Sequence, residues 1–101
     1  MRIPQSVLDL MWEFDPAGLA ALTELPDALI ERVMARGRWE DMRWLLAAAD
    51  RERLRSYLER RGARVLPPRE LRFWLFIARV PEPQATAWVS SAREREAAWK
   101  G

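Results

Sequence analysis

Asp27-Ala28-Leu29-Ile30-Glu31-Arg32-Val33-Met34-Ala35-Arg36-Gly37 is the stretch that decides the fold class. Leu29, Ile30, Val33 and Met34 recur at three- and four-residue spacing, which places them on one face of a helix. Pro26 suits the first turn, and Asp27 complements the positive N-terminal end. Arg36 complements the opposite end, and Gly37 supplies a stop. No stretch of the chain alternates apolar and polar residues over a strand's length, and β-branched residues are scarce. The whole chain is therefore expected to be all-α.

Working toward the N-terminus, residues 4 to about 14 read as a helix with Val7, Leu8, Met11 and Trp12 on one face. Asp15-Pro16-Ala17-Gly18 breaks it, with Asp15 able to cap the turn that follows. Leu19, Leu22 and Leu25 then form a short apolar turn.

Working toward the C-terminus, a helix over 39–49 is expected to bury Trp39, Met42, Leu45, Leu46 and Ala49, with Glu40, Asp41 and Arg43 elsewhere. Asp50 caps the next helix, over 51–61, which is anchored by Leu54, Tyr57 and Leu58 and ended by Gly62. Pro67 and Pro68 open a helix over 68–79 that is apolar on every side after Arg72. Such a helix is either central and buried or exposed and adhesive. Pro81-Glu82-Pro83 acts as a hinge before a last amphipathic helix over 84–99, carried by Ala85, Trp88, Val89, Ala92 and Trp99. The expected architecture is a compact bundle of four to five short helices. Residues 1–80 form its helical domain and residues 81–101 a C-terminal helical extension, which docks on a partner or a second copy.

Half of the 101 residues are apolar and 32% are charged, an ordinary globular balance. A chain of this length buries roughly 60–68% of its unfolded surface, enough for a core without staples. There is no cysteine and no histidine, yet there are six tryptophans. The absences exclude disulfides, a thiol nucleophile, a histidine base and the two commonest transition-metal ligands. The four glycines stand apart, so no phosphate-cradling loop is present. Carboxylate neighbours such as Glu40 and Asp41, or Asp9 and Glu13, have the spacing of a solvated helix face rather than a cation site. No catalytic residue, metal site or cofactor is assigned, and the chain is expected not to be an enzyme. No apolar run reaches the roughly 18 residues of a membrane span, and Asp9 and Glu13 interrupt any signal-like segment. Neither a membrane nor a secretory route is expected, and the expected location is cytoplasmic.

Charge is distributed unevenly. Residues 1–50 carry five arginines against nine acids, and residues 51–101 carry eleven arginines and Lys100 against six acids. Arg51, Arg55 and Arg60 are candidates for an acidic partner face, because guanidinium is a planar bidentate donor to carboxylate or phosphate. Trp44 and Trp74 are expected in the core. A small domain strains to bury six indoles of roughly 150–250 Å² each, so Trp12, Trp39, Trp88 and Trp99 are candidate partner-binding anchors. Two uses of these residues stay open beside a homo-oligomer. One is a protein–protein interaction module. The other is a small helical DNA-binding regulator using the Arg-rich second half, which is disfavoured because 71–77 is too apolar to lie in a groove.

Four pieces of the sequence occur in a suggestive order: Trp12-Glu13-Phe14-Asp15, Ile30-Glu31-Arg32-Val33 with Gly37, Arg43-Trp44-Leu45, and Leu66-Pro67-Pro68-Arg69 with Phe73-Trp74. Together they resemble a small all-helical bacterial family of uncharacterised function, over residues 10 to 80. Glu13 stands where that family usually has aspartate. Its members are often encoded beside nucleotidyltransferase toxins of the abortive-infection type. The resemblance implies an antitoxin-like companion whose protein partner is that nucleotidyltransferase toxin.

Overall fold

The computed structural model describes residues 2–100. Residues 1 and 101, which begin the expected domain and end the expected extension, lie outside the described residues. Every regular element among the described residues is helical, so the protein is all-α. The elements are α1 (Gln5–Leu10), α2 (Pro16–Ala20), α3 (Asp27–Arg36), α4 (Trp39–Ala48), α5 (Arg51–Tyr57), a π-helical turn (Leu58–Gly62), α6 (Ala63–Val65), α7 (Pro68–Ile77) and α8 (Glu82–Lys100). Their contacts divide the chain into two units, one up to Ala49 and one from Asp50 onward. The last helix belongs to the second unit, where it packs on α6 and α7.

In the first unit α3 packs against both α1 and α4. Leu29, Ile30, Val33 and Met34 are all buried, as their spacing predicts. Removing each of these side chains from water contributes about 1.5–3 kcal/mol. Val7 and Met11 of the first segment join them, but Trp12 does not. The reason is local: α1 stops at Leu10, and the chain turns through Met11, whose N–H donates to the Leu8 carbonyl. Asp15 caps α2 as expected, accepting from the N–H groups of Ala17 and Gly18.

α4 sits differently from its predicted stripe. Leu45 and Ala49 are buried, but Trp39 and Leu46 are exposed, and the acidic Asp41 is buried instead. Oδ2 of Asp41 accepts from the backbone N–H of Arg38 at 2.9 Å, and Oδ1 accepts from the Ser6 hydroxyl. The helix is turned so that this carboxylate faces inward and ties α4 to α1.

In the second unit Asp50 caps α5 through the N–H of Arg53 at 2.7 Å. Leu54, Tyr57 and Leu58 are buried, as predicted. The helix does not end at Gly62. It widens into a π turn and continues to Val65. Gly62 is buried, and a Cβ there would lie 2.8 Å from Leu58 Cδ2 and 2.9 Å from Tyr57 Cε2. The glycine is needed for close packing, not for a left-handed stop.

α7 is two-faced. Leu71, Trp74, Leu75 and Ala78 are buried, at three- and four-residue spacing. Phe73 and Phe76 point outward. The helix closes in a Schellman arrangement: Val80 N–H donates to the Leu75 carbonyl at 3.0 Å, and Arg79 N–H to that of Phe76 at 3.1 Å. Arg79 has φ 57, the left-handed conformation that usually selects glycine. We therefore expect Arg79→Gly to raise the unfolding free energy by about 1 kcal/mol in urea titration. An unchanged or lowered midpoint would show that this backbone carries no strain.

Pro81-Glu82-Pro83 is not a hinge. Glu82 and Pro83 already lie in the first turn of α8, where a proline's missing N–H costs nothing. Ala85 N–H donates to the Pro81 carbonyl at 2.9 Å, which secures this turn. Val89 and Ala92 are buried, whereas residues 93–99 are exposed.

Candidate functional site

The seven residues singled out from sequence are shared between the two units. Trp12 and Trp39 fall in the first unit. Arg51, Arg55, Arg60, Trp88 and Trp99 fall in the second. Within each unit their surroundings differ sharply.

Trp12 is 79% exposed, on a turn that is firmly held. Arg32 pairs with Glu13 on one side of Trp12 and donates to the Leu10 carbonyl at 2.5 Å on the other. The hydrogen bond from Arg32 holds the Glu13 carboxyl below its usual range, and the same contact raises the Arg32 guanidinium. Phe14 lies next to this pair and is also exposed. An aromatic side chain on a pre-set turn binds with less ordering cost than one on a loose loop. Trp39, at the start of α4, is 58% exposed, and Trp99, near the end of α8, is 91% exposed. Trp88 is only half-buried. Of the two indoles expected in the core, Trp74 is there and Trp44 is half-covered.

The arginines divide in the same way. Arg51 and Arg60 are exposed, and Arg60 Nε donates to the Ser56 hydroxyl at 3.1 Å. Arg55 is turned inward. Its Nη2 donates to the carbonyls of Ala78 and Arg79, both at 3.0 Å, and its Nε donates to Ala78 at 3.3 Å. These are the orphan carbonyls at the end of α7, so Arg55 closes that helix end rather than presenting charge to a partner.

A second surface was missed in the sequence. Arg69, Arg72, Phe73 and Phe76 stand at three-, four- and seven-residue spacing along α7, opposite the buried Leu71, Trp74 and Leu75. With Arg79, Val80, Ala85 and Val89 they line a groove of about 620 Å³ between α7 and α8. Phe76 is 79% exposed at its rim. Glu82, the one acid in the lining, accepts from the Thr86 hydroxyl at 3.3 Å. The spacing was available in the sequence, but the apolar run around it concealed the two-sided pattern.

Among the described residues, no three acidic side chains come together in a way that would hold a metal ion. No described helix is long and apolar enough to cross a membrane. Compared with protein-family models, curated proteins and solved structures, the chain finds no match.

Proposed function

We propose that this chain is a non-catalytic protein-interaction module of the cytoplasm, an antitoxin-like companion that occludes a nucleotidyltransferase toxin. The observation that carries the reading is the exposure of Trp39 and Trp99 on helices and of Trp12 on the turn after α1. Large rings held outside a core are the residues that dominate protein interfaces when a partner desolvates them. The resemblance in residues 10–80 supplies the toxin as partner, and the exposed Arg51 and Arg60 supply charge for its acidic, metal-binding carboxylates.

The test is co-purification of the full chain with the product of the neighbouring gene. Trp12→Ser, Trp39→Ser and Trp99→Ser are then introduced singly and together. Each substitution at a true anchor is expected to weaken the complex by about 2 kcal/mol, while the melting temperature of the free chain barely moves. A complex that forms equally well with all three indoles removed refutes the reading. Arg51→Glu with Arg60→Glu tests the charge contribution. Arg55→Glu is unsuitable, because it would open the end of α7. The DNA-binding alternative predicts affinity for duplex DNA that falls steeply with salt and is indifferent to the indoles.

A further inference from the structure

We infer that the groove between α7 and α8 binds an acidic amphipathic segment of a protein partner, with its apolar side chains on Phe73 and Phe76 and its carboxylates on Arg69, Arg72 and Arg79. The inference rests on the protein-interaction reading and assigns it a second surface, distinct from the indoles.

Three observations support it. The first is unspent charge: among the described residues no carboxylate pairs with Arg69, Arg72 or Arg79. Guanidinium is weakly hydrated and presents a planar fork that matches a carboxylate, so it suits a partly desolvated interface. The second is the floor. Val80 and Val89 are buried, and Phe73 stands edge-on to Trp74, with centroids 5.2 Å apart and planes at 88°. Phe73 is thus fixed by the core while part of its ring stays open to the groove. The third is shape. The cleft lies between two packed helices, and Phe76 rises at its rim, an open trough suited to a segment lying along it rather than an enclosed pocket for a small molecule.

The same features favour a protein over a nucleic acid. The next depression along α7 brings Glu70 and Glu96 among Arg69, Arg72 and Arg93, and these acids would repel a continuous phosphate backbone. An acidic peptide carries its charges at intervals set by its own sequence and can meet the arginines alone.

The test uses the full chain as bait for a randomised peptide display library, followed by fluorescence anisotropy on the enriched peptides. The expected winners carry Asp or Glu around Phe, Trp or Leu anchors. Their affinity should fall about tenfold or more in Arg72→Glu and in Phe76→Ser. Both positions are exposed, so circular dichroism and the melting temperature should match the parent chain. Raising salt should weaken binding modestly, as expected for a few ion pairs around an apolar anchor. The inference is overturned by no enrichment of acidic peptides, by enriched peptides that bind both variants normally, or by an oligothymidine strand that displaces them and binds more tightly. Self-association of the free chain in sedimentation velocity, lost in Phe76→Ser, would assign the groove to a second copy and overturn it as well. Peptides that ignore Phe76→Ser but are lost on Trp39→Ser would sink the groove while leaving the protein-interaction reading intact. Failure to enrich any peptide, together with no recovered partner, would sink both.

Discussion

Trp74→Ala is expected to destabilise the protein by about 3–5 kcal/mol, the range for emptying a large aromatic site in a core. Trp74 is 1% exposed on the inward face of α7, between Leu71 and Leu75. Truncation removes the indole's buried area and leaves a cavity that the fixed side chains of one short helix cannot refill. A domain's whole stability is about 5–15 kcal/mol, so the variant should sit near its unfolding threshold. Trp99→Ala at the far end of α8 should change stability by no more than about 0.5 kcal/mol, since almost all of its ring already faces solvent. Urea titrations of the two variants, followed by far-UV circular dichroism, make the comparison. Near-equal midpoints would show that the indoles are not divided between core and surface as described.

That contrast also shows what the sequence reveals and what it conceals. Spacing identifies α3 completely, because its four apolar residues share one face and its ends are marked by Asp27, Arg36 and Gly37. Spacing also locates α7 and α8. It fails where a polar group does core work. Asp41 looks like a surface acid until Ser6, 35 residues earlier, is placed beside it. Arg55 looks like a free cation until the end of α7 arrives from 23 residues away with unpaired carbonyls. Gly62 reads as a stop, although the approach of Tyr57 and Leu58 keeps it inside a helix. At Asp41 and Arg55 the failure depends on a distant partner that periodicity cannot supply, whereas the atoms that crowd Gly62 lie four and five residues back along its own helix.

The candidate surfaces were legible to a similar degree. An excess of indole over available core predicts that some rings stay outside, and three of the four nominated ones are exposed. Composition cannot say which, because that follows from how each helix rotates. Trp39 is outside because α4 turns Asp41 inward. Trp12 is outside because α1 ends two residues before it. The groove on α7 was hidden for the opposite reason: its phenyl rings looked like core and its arginines like solubilising charge.

Asp41→Ala is expected to cost about 2–3 kcal/mol, more than any other substitution of a polar side chain described here. The carboxylate is 2% exposed, and burying it without partners would be prohibitive. Its two hydrogen bonds offset that cost. The bond to Arg38 N–H satisfies one of the orphan donors at the start of α4, and losing a cap of this kind costs roughly 0.5–2 kcal/mol. The bond from Ser6 joins α1 to α4, and hydrogen bonds to charged groups are worth roughly 1.5–3 kcal/mol. Alanine returns a few tenths of a kcal/mol through better helix propensity, which brings the total down. Ser6 is exposed, so its hydroxyl can turn to water once the carboxylate is gone. Ser6→Ala is expected to cost about 1.5–2 kcal/mol, because Oδ1 of the buried Asp41 loses this donor while Oδ2 keeps its bond to Arg38. The double variant should cost less than the sum of the single ones, since both remove the same contact. Strict additivity in urea titration would mean that the α1–α4 hydrogen bond contributes nothing, and that the inward turn of α4 is held by Leu45 and Ala49 alone.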